Sequence, residues 1–197
     1  MEPDLLGEHL VATELAGFGE VLTAVLRREN PAALAQPLDV YARAVVAYPD
    51  LAAAVSAVLS TNLETLCRAA IEQAASHTNL DLLLGTTTAA EALNRVLTVV
   101  DVDPAALPTA VDLFPGGADQ ILGPLALTLT EKITDHFRRQ AASDPTAYEP
   151  DLAGSLNNLS VRLAAVGRRC ELPNCLASFD HTIWHCQLVT QAADTPL

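Results

Sequence analysis

The sequence predicts an all-α protein built from antiparallel helical hairpins that stack as an α-solenoid. Half of its 197 residues are hydrophobic, mainly Ala, Leu and Val, and only 4% are aromatic. This mixture suits closely packed helices and is poor in the β-branched and aromatic runs typical of strands. Apolar residues also recur at helical spacing between prolines and capping residues, and a chain of this length can bury a substantial core.

Three helical segments are predicted in the first 76 residues. Apolar spacing over residues 4–28 indicates helix, which Gly17 and Gly19 divide into two. Residues 31–48 carry the next helix, and Pro37, one turn in, can start that helix afresh. The third segment follows Pro49, and its helical periodicity continues to residue 76 with room for a break near residues 60–62.

Capping signals mark the next helices. Thr88 and Glu91 have the Thr-x-x-Glu spacing of a capping box ahead of an apolar run. Asp103, followed by Pro104, offers another helix start. Residues 115–117, Pro-Gly-Gly, form the clearest hinge of the chain.

Two longer helical segments are predicted beyond this hinge. Residues 118–140 form one helix or two, with Pro124 as the expected break, and the Asp-Pro pair at 144–145 closes the segment. In residues 148–169 one helical face is lined at the spacing i, i+3, i+4, i+7 by Leu156, Leu159, Ser160 and Leu163. Gly167 stands where the chain must turn towards a partner helix.

Residues 125–169 resemble the second helix of one tetratricopeptide repeat, its closing Asp-Pro, and the first helix of the next repeat. Phe137 and Pro145, eight residues apart, match the aromatic residue of the second helix and the closing proline. The phrase PDLAGSLNNLSVRLAAVGRR, residues 150–169, is similar to the repeats of an actinobacterial group in which a STAND-class signalling ATPase carries a helical repeat array. The opening PDLLGEHLV resembles the segment that joins the ATPase and its winged-helix module to the helical region there.

We interpret the chain as three parts: a divergent helical region over 1–117, a tetratricopeptide-like region over 118–169, and an atypical Cys/His-containing tail over 170–197. The hinge at 115–117 allows the first part to be either divergent repeats or a separate helical domain. The ATPase module is absent, because the chain has no Gly-x-x-x-x-Gly-Lys-Ser/Thr loop and its one lysine, Lys132, lies in a helical face. After Arg169 the chain reads CELPNCLASFDHTIWHCQ, which departs from a second repeat helix. A truncated or frame-shifted gene fragment is therefore an alternative to an intact protein.

The tail holds a cluster of potential metal ligands. Cys170, Cys175, His181 and Cys186 have the residue types and order of a zinc site with stretched spacing. The glycines that let a zinc knuckle fold tightly are absent, so we predict no metal and no other cofactor. A small metal-binding or redox-sensing helical protein that uses this tail remains the alternative.

The charge of the chain excludes several classes of partner. A formal charge of −13 and a pI near 4.5 oppose binding to nucleic acid or to an anionic membrane. No apolar run approaches the roughly 20 residues that a membrane span needs, and the N-terminus is acidic where a secretion signal is basic. The four cysteines do not form the framework of a small secreted domain, so a cytoplasmic protein with reduced thiols is expected.

The sequence offers binding residues but no catalytic ones. No paired carboxylates or nucleophile-base arrangement stands out, so the chain is not predicted to be an enzyme. Asn157, Asn158 and Arg162 lie opposite the packing leucines, where an amide can bond a peptide backbone and a guanidinium can pair with a carboxylate. Simple solvent-facing polar residues are the alternative interpretation of these three.

The predicted function is a non-catalytic scaffold for protein-protein interaction. The resemblance implies that the chain is the sensor or linker part of a STAND-type signalling protein and that its partner is a protein or a peptide. An incomplete terminal repeat would also leave an apolar patch open to self-association, because each hairpin of such an array buries its face only against its neighbours.

Overall fold

A computed structural model describes residues 34–76, 87–114 and 121–167, and within these ranges all regular structure is helical. The predicted all-α class is therefore confirmed. The predicted helices of residues 4–28, the hinge at 115–117 and the Cys/His tail lie outside the described residues. In chain order the described α-helices are α1 (Ala35–Ala47), α2 (Ala52–Ser76), α3 (Ala89–Val99), α4 (Leu107–Asp112), α5 (Gly123–Ser143) and α6 (Pro145–Ala165).

The first two helices are close to their predicted positions. Pro37 lies in the first turn of α1, where a missing backbone N–H costs no helical hydrogen bond. A short 3-10 helix, Pro49–Leu51, leads into α2, which is continuous through residues 60–62, where the sequence pattern allowed a break. The side chains of Ser60 and Asn62 donate to carbonyl oxygens one turn earlier, at 2.7 and 2.8 Å, so these polar residues are accommodated inside the helix.

The capping box at the start of α3 is confirmed. The hydroxyl of Thr88 accepts from the backbone N–H of Glu91 at 3.1 Å, and the Glu91 carboxylate accepts from the Thr88 N–H at 3.0 Å. The side-chain oxygen of Gln73 in α2 accepts from the N–H of Ala89 at 2.6 Å. The first turn of α3 is therefore held both by its own cap and by the end of α2.

The cap predicted at residue 103 is also present. The Asp103 carboxylate accepts from the N–H of Ala105 at 2.9 Å and opens the 3-10 helix Pro104–Ala106, which leads into α4. The Asp103 N–H donates to the hydroxyl of Ser60 at 2.7 Å. This second bond fixes the start of α4 against the middle of α2.

The last two helices form an antiparallel hairpin. Pro124, predicted as a break, instead lies in the first turn of α5. Asp144 ends α5, and its carboxylate accepts from the N–H of Ala147 at 3.2 Å to cap α6. The start of α5 lies beside the end of α6, since a Cβ on Gly123 would stand 3.3 Å from Val166. Gly167, which the sequence predicted as a turn residue, follows the end of α6. Its φ of +79° lies in the left-handed region that favours glycine.

Helix α3 is the centre of the described fold. It packs against α1, α2 and α5, whereas the sequential neighbours α1 and α2 have few contacts with each other. The main apolar core takes residues from α1 to α5 and so crosses the predicted division at 117–118. Of the predicted face on α6, Leu156, Leu159 and Leu163 are buried against α5. The α5–α6 pair is thus a hairpin, and stacking as a solenoid remains a prediction.

Candidate functional site

An open groove of about 260 Å³ lies between α4, α5 and α6. We call it the α4–α6 groove. Helix α4 and helix α6 form its two walls, and α5 lies between them. Its lining residues are Pro108, Val111 and Asp112 from α4, Thr130, Ile133 and Phe137 from α5, and Pro150, Asp151, Gly154, Ser155 and Asn158 from α6.

The α5 side of the groove is apolar. Ile133 belongs to the main core, and Phe137 packs both on that core and on the smaller cluster that joins α5 to α6. Thr130 brings a hydroxyl to the α5 side of the groove, and this hydroxyl donates to the carbonyl of Ala126 at 2.7 Å. Because that hydroxyl is engaged within its own helix, the surface that α5 presents can contact an apolar side chain.

Small residues on α6 keep the groove open. No heavy atom lies within 4 Å of the position that a Cβ on Gly154 would occupy, so this glycine borders free space. The next residue, Ser155, is buried, and its hydroxyl donates to the carbonyl of Leu152 at 2.9 Å. Thr134 of α5 donates to the carbonyls of Thr130 at 2.7 Å and of Ser155 at 3.4 Å, which shows how closely the two helices approach beside the groove.

The rim of the groove is acidic. Asp112 at the end of α4 and Asp151 in α6 are both exposed. Within the described part of the chain, no Lys, Arg or His forms an ion pair with either carboxylate. Asn158 adds an exposed amide on the same side as Asp151. A polar rim over an apolar base is the arrangement expected of a surface that binds a peptide segment.

The structure places the three predicted binding residues in different surroundings. Asn158 lines the α4–α6 groove. Asn157 is exposed on the same helix but does not line the groove, and its backbone carbonyl accepts from the hydroxyl of Ser160 at 2.7 Å. Arg162 is half-buried, and its guanidinium donates to the carbonyl of Phe114 at 2.9 Å. Burial lowers the pKa of the Arg162 guanidinium, and this contact ties α6 to the segment that follows α4.

We expect Arg162→Met to lower the free energy of unfolding by about 1–2 kcal/mol, because it removes a charged hydrogen bond and leaves the Phe114 carbonyl without that donor. Urea denaturation followed by circular dichroism measures the change. Arg68→Met is the matched control, since Arg68 forms only an exposed ion pair with Glu64 on one helix face and should change stability by less than about 0.5 kcal/mol. Equal effects of the two substitutions would contradict a structural role for Arg162.

A second, larger cleft of about 400 Å³ lies between the starts of α3 and α5. Its charged groups already have partners, since Arg95 pairs with Asp39 at 2.9 Å and Glu91 completes the capping box of Thr88. The amide oxygen of Asn94 is buried there, and no described donor reaches it. Because this acceptor is buried and the charged side chains are paired, the cleft is a weaker basis for recognition than the α4–α6 groove.

The described residues contain no candidate metal centre. Among them no three His, Cys, Asp or Glu side chains are grouped to hold a metal ion. The alternative ligands Cys170, Cys175, His181 and Cys186 lie outside the described residues. Cys67 in α2 has no exposed surface, and burial raises its pKa to about 12, so its thiol stays protonated and unreactive.

Comparisons with protein-family models, with curated proteins and with solved structures return no match for this chain. The tetratricopeptide and STAND resemblance therefore remains a prediction from the sequence. Of the helices in the described ranges, none combines the length and the apolar character required to cross a membrane.

Proposed function

We propose that this chain is a non-catalytic protein-protein interaction scaffold that binds a peptide segment of its partner in the α4–α6 groove. The observation that carries the proposal is an open groove with an apolar base and a polar rim, bordered by Gly154 where a side chain would intrude. Its volume of about 260 Å³ suits one or two peptide side chains, and it is smaller than the roughly 300–1,000 Å³ typical of small-molecule sites.

The sequence resemblance supports a wider setting for this role. In that setting the α5–α6 hairpin is a tetratricopeptide repeat boundary, the helices belong to an α-solenoid, and the chain is the sensor or linker part of a cytoplasmic STAND-type signalling protein. Peptide binding would then regulate an ATPase carried by another module. The single residue that links α5 to α6 and the buried leucine face of α6 support the repeat assignment.

Selection of a displayed random peptide library on the purified chain tests the proposed function. We expect the recovered peptides to bind the wild-type protein and to lose at least about tenfold in affinity for Gly154→Phe, because the new ring occupies the groove. Val161→Phe is the matched control, since it adds the same ring to an exposed position of α6 outside the groove. Thermal denaturation checks that both variants fold.

Two results would contradict the proposed function. One is a selection that enriches no peptide. The other is a set of peptides that binds Gly154→Phe as tightly as the wild-type protein, which would place recognition elsewhere on the surface.

A further inference from the structure

Both walls of the α4–α6 groove carry negative charge. Asp112 stands on the α4 wall and Asp151 on the α6 wall, and both side chains are exposed. The groove lining contains no Lys or Arg. Two cations of α5 pair with carboxylates outside the groove lining, Lys132 with Asp101 at 2.8 Å and Arg138 with Asp135. Arg162 of α6 donates to the carbonyl of Phe114. A ligand that enters the groove therefore meets two carboxylates that form no ion pair with a described cation.

The apolar base limits what kind of cation fits. Ile133, which is 7% exposed, and the half-buried Phe137 form the apolar part of the groove lining that α5 supplies. A fully hydrated small cation would gain nothing from that surface, whereas a peptide can place an apolar side chain on it and a basic side chain at the rim. The exposed amide of Asn158 can at the same time bond a peptide backbone, since it carries both donors and an acceptor.

We propose that the α4–α6 groove selects a basic peptide segment, whose Lys or Arg lies between Asp112 and Asp151 while an adjacent apolar side chain contacts Ile133 and Phe137. This inference rests on the proposed function and adds the chemistry of the partner to it. A guanidinium suits the two carboxylates best, because its fixed fork of donors matches carboxylate geometry. The formal charge of −13 on the whole chain attracts the same kind of partner from a distance.

Three labelled octapeptides test the selectivity by fluorescence anisotropy. One alternates leucine with arginine, and the other two carry glutamine or glutamate in place of every arginine. We expect the arginine peptide to bind at least about tenfold more tightly than the glutamine peptide, and the glutamate peptide to bind least. We also expect the affinity of the arginine peptide to fall as salt rises from about 50 to about 300 mM, since exposed charges are screened.

Removing the charges one at a time tests the two residues. Asp112→Asn and Asp151→Asn should each lower the affinity for the arginine peptide by about threefold to tenfold and leave the affinity for the glutamine peptide unchanged. Asp50→Asn is the matched control, because Asp50 is an exposed carboxylate in the Pro49–Leu51 turn, outside the groove. The Asp50→Asn variant should bind the arginine peptide with the same affinity as the wild-type protein.

Several outcomes would overturn the inference. Equal binding of the arginine and glutamine peptides would show that the groove does not select charge, and no detectable binding of the arginine peptide would remove its chemical basis. An equal loss in Asp50→Asn would show general attraction to an acidic protein. The library selection distinguishes these failures from failure of the proposed function. If the selected peptides were neutral and lost affinity in Gly154→Phe, the groove would still bind peptides, and only its preference for basic ones would be wrong.

Discussion

Leu159→Asp is expected to lower the free energy of unfolding by about 3–5 kcal/mol, because it places an unpaired carboxylate in the apolar seam of the α5–α6 hairpin. Leu159 is only 5% exposed and packs with Leu127 and Leu163. The residues of this cluster, Leu127, Leu163 and Val166, are all apolar and cannot pair with the new carboxylate. Urea denaturation followed by far-ultraviolet circular dichroism should show both a lower midpoint and a loss of helix at low denaturant.

Val161→Asp is the matched control for this substitution. Val161 lies two residues further along α6 and is 46% exposed, so its replacement by aspartate should change stability by no more than about 0.5 kcal/mol. Unchanged helicity and stability in Leu159→Asp would show that the packing face of α6 is assigned to the wrong residues.

Leu93→Ala is expected to lower the free energy of unfolding by about 2–5 kcal/mol, the range for a buried leucine that leaves a cavity. Leu93 has no exposed surface and lies in α3, the helix that contacts α1, α2 and α5. The loss should therefore appear as a lower midpoint of the whole thermal transition, measured by calorimetry and by circular dichroism.

Val99→Ala provides the control within the same helix. Val99 is 43% exposed at the end of α3, and losing its two methyl groups should cost well under about 1 kcal/mol. If Leu93→Ala cost no more than Val99→Ala, α3 would not be the centre of the core.

The features that the sequence predicted well are those that depend on residues within one helical turn. The capping box at Thr88 and the cap at Asp103 are short-range hydrogen bonds that a local pattern can specify. Prolines were harder to interpret. Pro37 and Pro124 both lie in first turns, and a single sequence cannot tell whether such a proline interrupts a helix or begins one.

The features that the sequence did not reveal depend on residues far apart in the chain. The contact from Arg162 to the Phe114 carbonyl joins positions 48 residues apart, so no periodicity could predict it. The α4–α6 groove needs three helices in place before its lining exists. Asp112 and Asp151 then resemble any solvated acidic residue in the sequence, and only the fold shows that they face one groove.

The one-residue link at Asp144 also bears on how the chain folds. Contacts between α5 and α6 close a loop of one residue. Contacts between α1 and α3 close a much longer stretch of chain, which includes the 25 residues of α2. The entropic cost of closure grows with loop length, and local contacts form faster. We therefore expect the α5–α6 hairpin to form early and to serve as the surface on which the preceding helices assemble.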